Sequence, residues 1–264
     1  MLALRIAPPL ALRRPTRLVQ RNMMVYRRTF MVIFSGFFEP LFYLFSMGFG
    51  VGALIGDVPL GDGRTVPYAV FLAPALLASS AMNGAIYEST MNVFFKLKYA
   101  KVYEAVLATP VSVADVALGE VGYALLRGAA YAVVFLFVMV AMGLVASWWA
   151  VFAVPAAILI GFAFAGTGLA ATSFMKSWQD FDLVQLAILP LFLFSATFYP
   201  LSTYPPGVRL LVQVTPLYQG VALLRSLTLG HVGPATLGHV VYLAVMGAVG
   251  LRIATRRLGR LLQP

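Results

Sequence analysis

The chain has 264 residues, of which 61% are hydrophobic and only 11% charged, less than half the charge of a soluble globular domain at about 25%. With a mean hydropathy of +0.89 it cannot cover a water-facing surface, so its solvent is a bilayer. The absence of cysteine excludes disulfides, thiolate metal sites and cysteine nucleophiles, and two histidines, His231 and His239, are too few for a histidine-built metal centre.

In chain order, Met1 to Arg14 does not read as a secretory leader. Its apolar run is broken by Pro8-Pro9, and arginines stand where small cleavage-site residues belong. Pro15 suits a first helical position. After it Val19, Met23, Tyr26 and Phe30 recur at helical spacing, with Arg14, Arg17, Arg21 and Arg28 on another face. Residues 1–29 therefore predict an amphipathic helix lying in the inner leaflet; the alternative is a basic flank that only fixes topology.

A membrane helix needs about 20 mostly apolar residues. The first predicted span, about Phe30 to Ile55, is interrupted only by Glu39, which precedes a kinking Pro40. Within it Gly48, Gly52 and Gly56 recur every fourth residue, a spacing for close helix packing within the chain or against a second copy. Between Arg64 and Glu88 lie 23 residues without a formal charge, between Asp182 and Arg209 26, and between Arg225 and Arg252 26. The 48 uncharged residues from Arg127 to Lys176 are too many for one crossing, and Trp148-Trp149 marks the boundary where a hairpin of two spans meets. Six crossings result, centred near 43, 82, 130, 162, 192 and 245. With the N-terminus inside, inner segments 1–29, 96–115, 176–182 and 252–264 hold 15 of the 19 Lys and Arg. The net charge of +10 is thus a positive-inside topology signal, with both termini cytoplasmic, rather than a nucleic-acid footprint.

The inner loop 96–115 mixes Lys96, Lys98, Lys101 and Glu104 with Tyr99, Val102, Tyr103 and Leu107, and ends at Thr109-Pro110. It predicts a short helix with aromatic anchors, either a docking surface or a solvated turn with snorkelling lysines. The outer segment 200–234 is too apolar for a free loop. Pro205-Pro206 introduces one short helix with Leu210, Leu211 and Val214. Thr215-Pro216 introduces another with a stripe of Leu217, Val221, Leu224 and Leu227, and with Tyr218 and Arg225 on a shared face. Both are too short to cross and predict re-entrant or interfacial helices.

Ionisable groups inside spans are costly. Glu88 and Arg127 sit at similar depths on consecutive antiparallel spans and predict an ion pair, with Glu120 as the competing partner; fold glue and a substrate path are both open roles. Ser79, Ser80 and Asn83 either face a substrate route or bond a neighbouring helix. No GxxxxGK[ST] loop, HExxH, GxSxG or paired-carboxylate site occurs, and Asp180 and Asp182 in KSWQDFD read as a solvated turn. No catalytic residue and no metal site are predicted.

The order of these features resembles the permease family of type-two ABC exporters, which includes nodulation-type lipo-oligosaccharide, polysaccharide and daunorubicin-resistance exporters. The resemblance covers nearly the whole chain. It rests on KYAKVYEAVLATPVSVADVALGE (Lys98 to Glu120), on Arg127-Gly128, and on LFLFSATFYPLSTYPPGVRLLVQVTPLYQGVALLR (Leu191 to Arg225). The last stretch is similar to the family signature at Pro216, Leu217, Gln219 and Arg225, although Gln219 departs from the usual His, Arg, Ser or Tyr. The resemblance implies an all-α permease domain over 30–264 and no cofactor in this chain, with ATP and Mg held by a separate ATPase subunit. It also implies a second permease copy, homodimeric or heterodimeric, in the inner membrane. Tyr99, Lys101, Tyr103, Glu104, Thr109 and Pro110 would receive the ATPase stroke, and the re-entrant helices would close the outer end. The cargo would be an amphipathic lipid, polysaccharide or other glycoconjugate, or drug. The alternatives are a membrane-embedded lipid-modifying enzyme, for which no acid or histidine constellation is found, and an ion-driven carrier, whose broken-helix signals here occur in one half only.

Overall fold

The computed structural model describes residues 10–26, 38–60 and 63–262. Arg28, Phe30 and the beginning of the first predicted span lie outside them. The chain is an all-α polytopic membrane protein with one very short β-hairpin.

Helix α1 (Leu10–Tyr26) begins five residues before Pro15, so Pro15 lies inside the helix rather than at its first position. Pro15, Leu18 and Asn22 turn inward while Met23, Met24 and Val25 are exposed. The inward face is set by the helix it packs on, where Gly119 leaves room for Leu18.

Helix α2 (Phe38–Ile55) is wound as a π-helix over Leu44–Val51. Gly48 and Gly52 contact Ala69 and Tyr68 within the same chain, whereas Gly56, at φ +74°, ends the helix. A hairpin of β1 (Asp57–Pro59) and β2 (Thr65–Pro67) follows, pairing Val58 with Val66. Helix α3 (Tyr68–Lys98) is the most enclosed element and carries a π turn at Glu88–Asn92. Ser89 and Thr90 hydroxyls donate to Ala85 and Ile86 carbonyls, and the Thr172 hydroxyl donates to the Ser89 carbonyl at 2.9 Å.

The inner excursion holds α4 (Val102–Leu107). Ser112 and Asp115 then form a reciprocal capping box, Ser112 N–H to Asp115 Oδ2 2.9 Å and Asp115 N–H to Ser112 Oγ 3.2 Å. That box starts α5 (Val113–Ala141). The chain reverses before α6 (Trp148–Thr172), and the Trp148 and Trp149 rings stack there with centroids 4.4 Å apart. Helix α7 (Asp180–Phe194) occupies the place of the crossing expected near residue 192. At 15 residues it is about 22 Å long, short of a roughly 30 Å hydrocarbon core. Among the described residues, five helices have crossing length by themselves. Helices α8 (Pro206–Val214) and α9 (Pro216–Leu229) meet at 86°, in the positions that their Pro-Pro and Thr-Pro signals predict. Thr215 does not cap α9 with its side chain; the hydroxyl donates back to the Val212 carbonyl at 2.7 Å. Helix α10 (Pro234–Leu262) completes the bundle.

Helix α6 is central, packed along α10, α5 and α3. Its seam with α10 is a backbone contact. A Cβ at Gly250 would stand 2.6 Å from the Gly166 carbonyl carbon and the Thr167 nitrogen. Small residues allow such approach, and dispersion between close backbones replaces the hydrophobic drive that lipid removes.

Candidate functional site

Glu39, Ser79, Ser80, Asn83 and Arg127, polar residues singled out within the spans, line one small cavity of about 110 Å³. Its walls include Glu39 and Tyr43 of α2, Ser79, Ser80 and Asn83 of α3, and Arg127 and Tyr131 of α5. Arg127 Nη1 donates to Glu88 Oε2 at 2.7 Å, with the side chains 18% and 2% exposed. Glu88 Oε1 has no hydrogen-bond partner among the described residues, so Arg127 supplies most of what compensates the buried charge. Ser79 spends its hydroxyl on the Ala75 carbonyl at 2.9 Å, while Asn83 Oδ1 is buried without a partner among the described residues. A cavity holding an unsatisfied amide oxygen, an exposed carboxylate and a fixed guanidinium is suited to a polar moiety in an otherwise apolar wall.

Glu120 is engaged elsewhere. Lys96 Nζ donates to Glu120 Oε2 at 2.7 Å, and Asn22 Nδ2 donates to the same oxygen at 3.0 Å. Tyr103, 1% exposed, turns its hydroxyl toward this carboxylate. Burial pushes that hydroxyl well above the ordinary tyrosine range, and the Glu120 charge adds to the shift. Three segments are thereby keyed together, α1 by Asn22, the end of α3 by Lys96 and α5 by Glu120, whereas the buried Tyr103 hydroxyl of α4 has no hydrogen-bond partner among the described residues. The six loop residues thus divide. Tyr103 points into the body and is not a contact surface; Tyr99, Lys101, Glu104, Thr109 and Pro110 are exposed. Lys101 and Glu104 pair at 3.8 Å on the surface.

At the opposite end a cavity of about 550 Å³ lies among Phe71, Tyr218, Arg225, His231 and His239. The Arg225 guanidinium stands 3.6 Å over the Phe71 ring. Its Nε donates to the Phe71 carbonyl at 3.1 Å and its Nη2 to the Thr197 carbonyl at 3.2 Å. Arg225 therefore clamps α9 to α3 and to the segment after α7. Pro216 sets the sharp entry of α9. Gln219 donates to the Gln213 carbonyl and meets His239 Nδ1 through its own oxygen, joining α8, α9 and α10. Phe71 and Asn22 were missed in the sequence, and Lys96 was noted only as a loop charge: each gains its role from a partner far along the chain.

A bundle of long apolar helices with a small polar cavity, and with a bent helix pair at the end away from the 96–115 loop, is the architecture of a polytopic membrane protein. The family model for the ABC-2 type transporter matches residues 16–229, and the chain belongs to that family as the permease subunit of an ABC exporter. It is similar to Nodulation protein J of Sinorhizobium fredii, 30% identical over 244 residues covering 91% of each chain. Nodulation protein J of Rhizobium leguminosarum bv. trifolii is 29% identical over 91% of each. That of Rhizobium meliloti is 28% identical over 93% of this chain and 92% of the relative.

Proposed function

We propose that the chain works as one of two permease copies, each moved by a separate ATPase subunit that supplies ATP and Mg chemistry. It carries an amphipathic lipid, glycoconjugate or drug outward by alternating access. Residues 1–29 form the cytoplasmic interface helix, 96–115 the coupling loop and 200–234 the outer closure, with both termini on the cytoplasmic side of the cell membrane. The observation that carries this reading is the keyed inner loop. A displacement at exposed Tyr99, Lys101 or Glu104 has a route into α5 through Lys96 at the start of the same loop, paired with Glu120 at 2.7 Å, because a buried, hydrogen-bonded group resists separation from its partners. The small polar cavity between α2, α3 and α5 then belongs to the cargo's path, and Arg225 with Tyr218 and Gln219 to the outer closure.

The test is co-purification in detergent with the ATPase chain, followed by ATP-dependent flux in proteoliposomes. Glu104→Lys should release the ATPase while leaving the permease folded, since Glu104 is exposed. ATP hydrolysis or flux by the lone chain would refute the assignment.

A further inference from the structure

A second cavity, separate from the polar one, opens between α7 and the body formed by α3, α6 and α10. It measures about 650 Å³, and its walls include Phe164, Ala171, Val184, Ala187 and Leu191. Two threonines also face it, but Thr90 donates to the Ile86 carbonyl at 2.6 Å and Thr167 to the Ala163 carbonyl at 3.0 Å. With their hydroxyls engaged by their own helices, they present methyl groups. The groove is therefore apolar along its length, and it runs beside helices that lie in lipid.

Its length is informative. From Asp180 to Leu191 on α7 is eleven residues, so the groove is about 16 Å long at 1.5 Å per residue. That is half of a roughly 30 Å hydrocarbon core, the depth of one leaflet. Its charged end is the end where basic residues gather. Lys176 lines the mouth, and the Arg257 guanidinium stands 3.7 Å over the ring of Phe174, itself a lining residue. Arg257 Nε is buried without a hydrogen-bond partner among the described residues. Asp180, the acid at the mouth, is occupied by the Lys176 and Ser177 backbone N–H groups at 2.6 and 3.1 Å. Among the described residues no carboxylate lies within 4.0 Å of the Lys176 or Arg257 charges.

We propose that this groove binds one anionic glycerophospholipid of the inner leaflet, an acyl chain lying along α6 and α7 and the phosphate held between Lys176 and Arg257. Charge complementarity selects the headgroup, and a one-leaflet apolar slot selects the chain. The two cavities are lined by neighbouring residues, Tyr87 and Phe192 for the polar one and Ile86 and Leu191 for the groove, but the groove's apolar walls and basic mouth make it a lipid-sensing surface rather than that cavity's extension. The neighbouring groove on the other side of α10, lined by Tyr242, Val245 and Val249 among others, has no charged lining residue and provides the internal comparison.

The experiment is native mass spectrometry of the purified full-length permease, delipidated and then mixed with equal phosphatidylglycerol and phosphatidylcholine. Wild type should retain phosphatidylglycerol preferentially. Each of Lys176→Gln and Arg257→Gln should reduce that preference about fivefold. Ala187→Trp, at an exposed groove position, should lose both lipids, whereas Val249→Trp should not. A photoreactive benzoylphenylalanine at Ala187 should crosslink to lipid. Equal retention of the two lipids by wild type, or unchanged preference in both glutamine variants, would overturn the proposal. So would a crosslink from position 187 to a second permease copy. None of these readouts needs ATP or an ATPase, so failure here is distinguishable from failure of the export reading.

Discussion

Removing Arg127 should be among the most damaging single substitutions in the bundle. The guanidinium lies 2.7 Å from Glu88, the Glu88 side chain is 2% exposed, and its other carboxylate oxygen has no partner among the described residues. Arg127→Leu would strand a buried carboxylate. Breaking one side of such a pair costs about 3–5 kcal/mol, roughly two to three and a half orders of magnitude in the folding equilibrium. Two further variants separate the pair from the residue. Glu88→Gln combined with Arg127→Leu removes the stranded charge and should recover most of the loss. The exchange Glu88→Arg with Arg127→Glu should recover part of it, since the flanking groups were not arranged for the reversed dipole. Membrane abundance and thermal unfolding in detergent read all three. An exchange no more stable than Arg127→Leu, or a single variant unfolding where the wild type does, would refute the argument that the pair compensates a buried charge.

Gly250→Ala places a carbon 2.6 Å from α6 backbone and should cost about 1–3 kcal/mol, while Gly259→Ala, with nothing within 4 Å, should be neutral or slightly stabilising; unfolding midpoints in detergent decide both. Arg225→Lys keeps the charge but cannot span the Phe71 and Thr197 carbonyls with a planar fork. It should lose about 2 kcal/mol and reduce flux in proteoliposomes. Because burial holds the Tyr103 hydroxyl well above its ordinary range, its contribution is fully present below the unfolded tyrosine value of about 10. That contribution falls as pH rises through the higher folded value. Wild-type stability relative to Tyr103→Phe should therefore be constant below about pH 10 and decline above it, measured by unfolding at a series of pH values.

The bilayer as solvent, the positions of most long helices and the bent pair at Pro205-Pro206 and Thr215-Pro216 were legible in the amino-acid sequence because they depend on local properties. Apolar run length, proline's fixed φ and the placement of tryptophan and arginine each act within a few residues of themselves. The Glu88–Arg127 pair was also accessible, since burying two opposite charges at one depth leaves few alternatives. The reach of α7 was not. Counting uncharged residues gives 26, but Ser195 ends the helix and Ala196 takes φ +54°, so the same apolar length is divided between a short helix and irregular chain.

Tertiary structure alone decided which face each helix turned inward. Tyr103 illustrates this, since it fits a docking surface by its loop position and is buried. In lipid an apolar side chain is stable on either face of a helix, so hydrophobic periodicity loses the meaning it has in water. Orientation is set instead by a few specific contacts, such as Leu18 against Gly119 and Gly166 against Gly250. Glu120 likewise was visible as a costly charge, yet its partners, Lys96 and Asn22, come from segments 24 and 98 residues away. Composition determined that this chain lives in a membrane; only close packing determined which polar groups meet there.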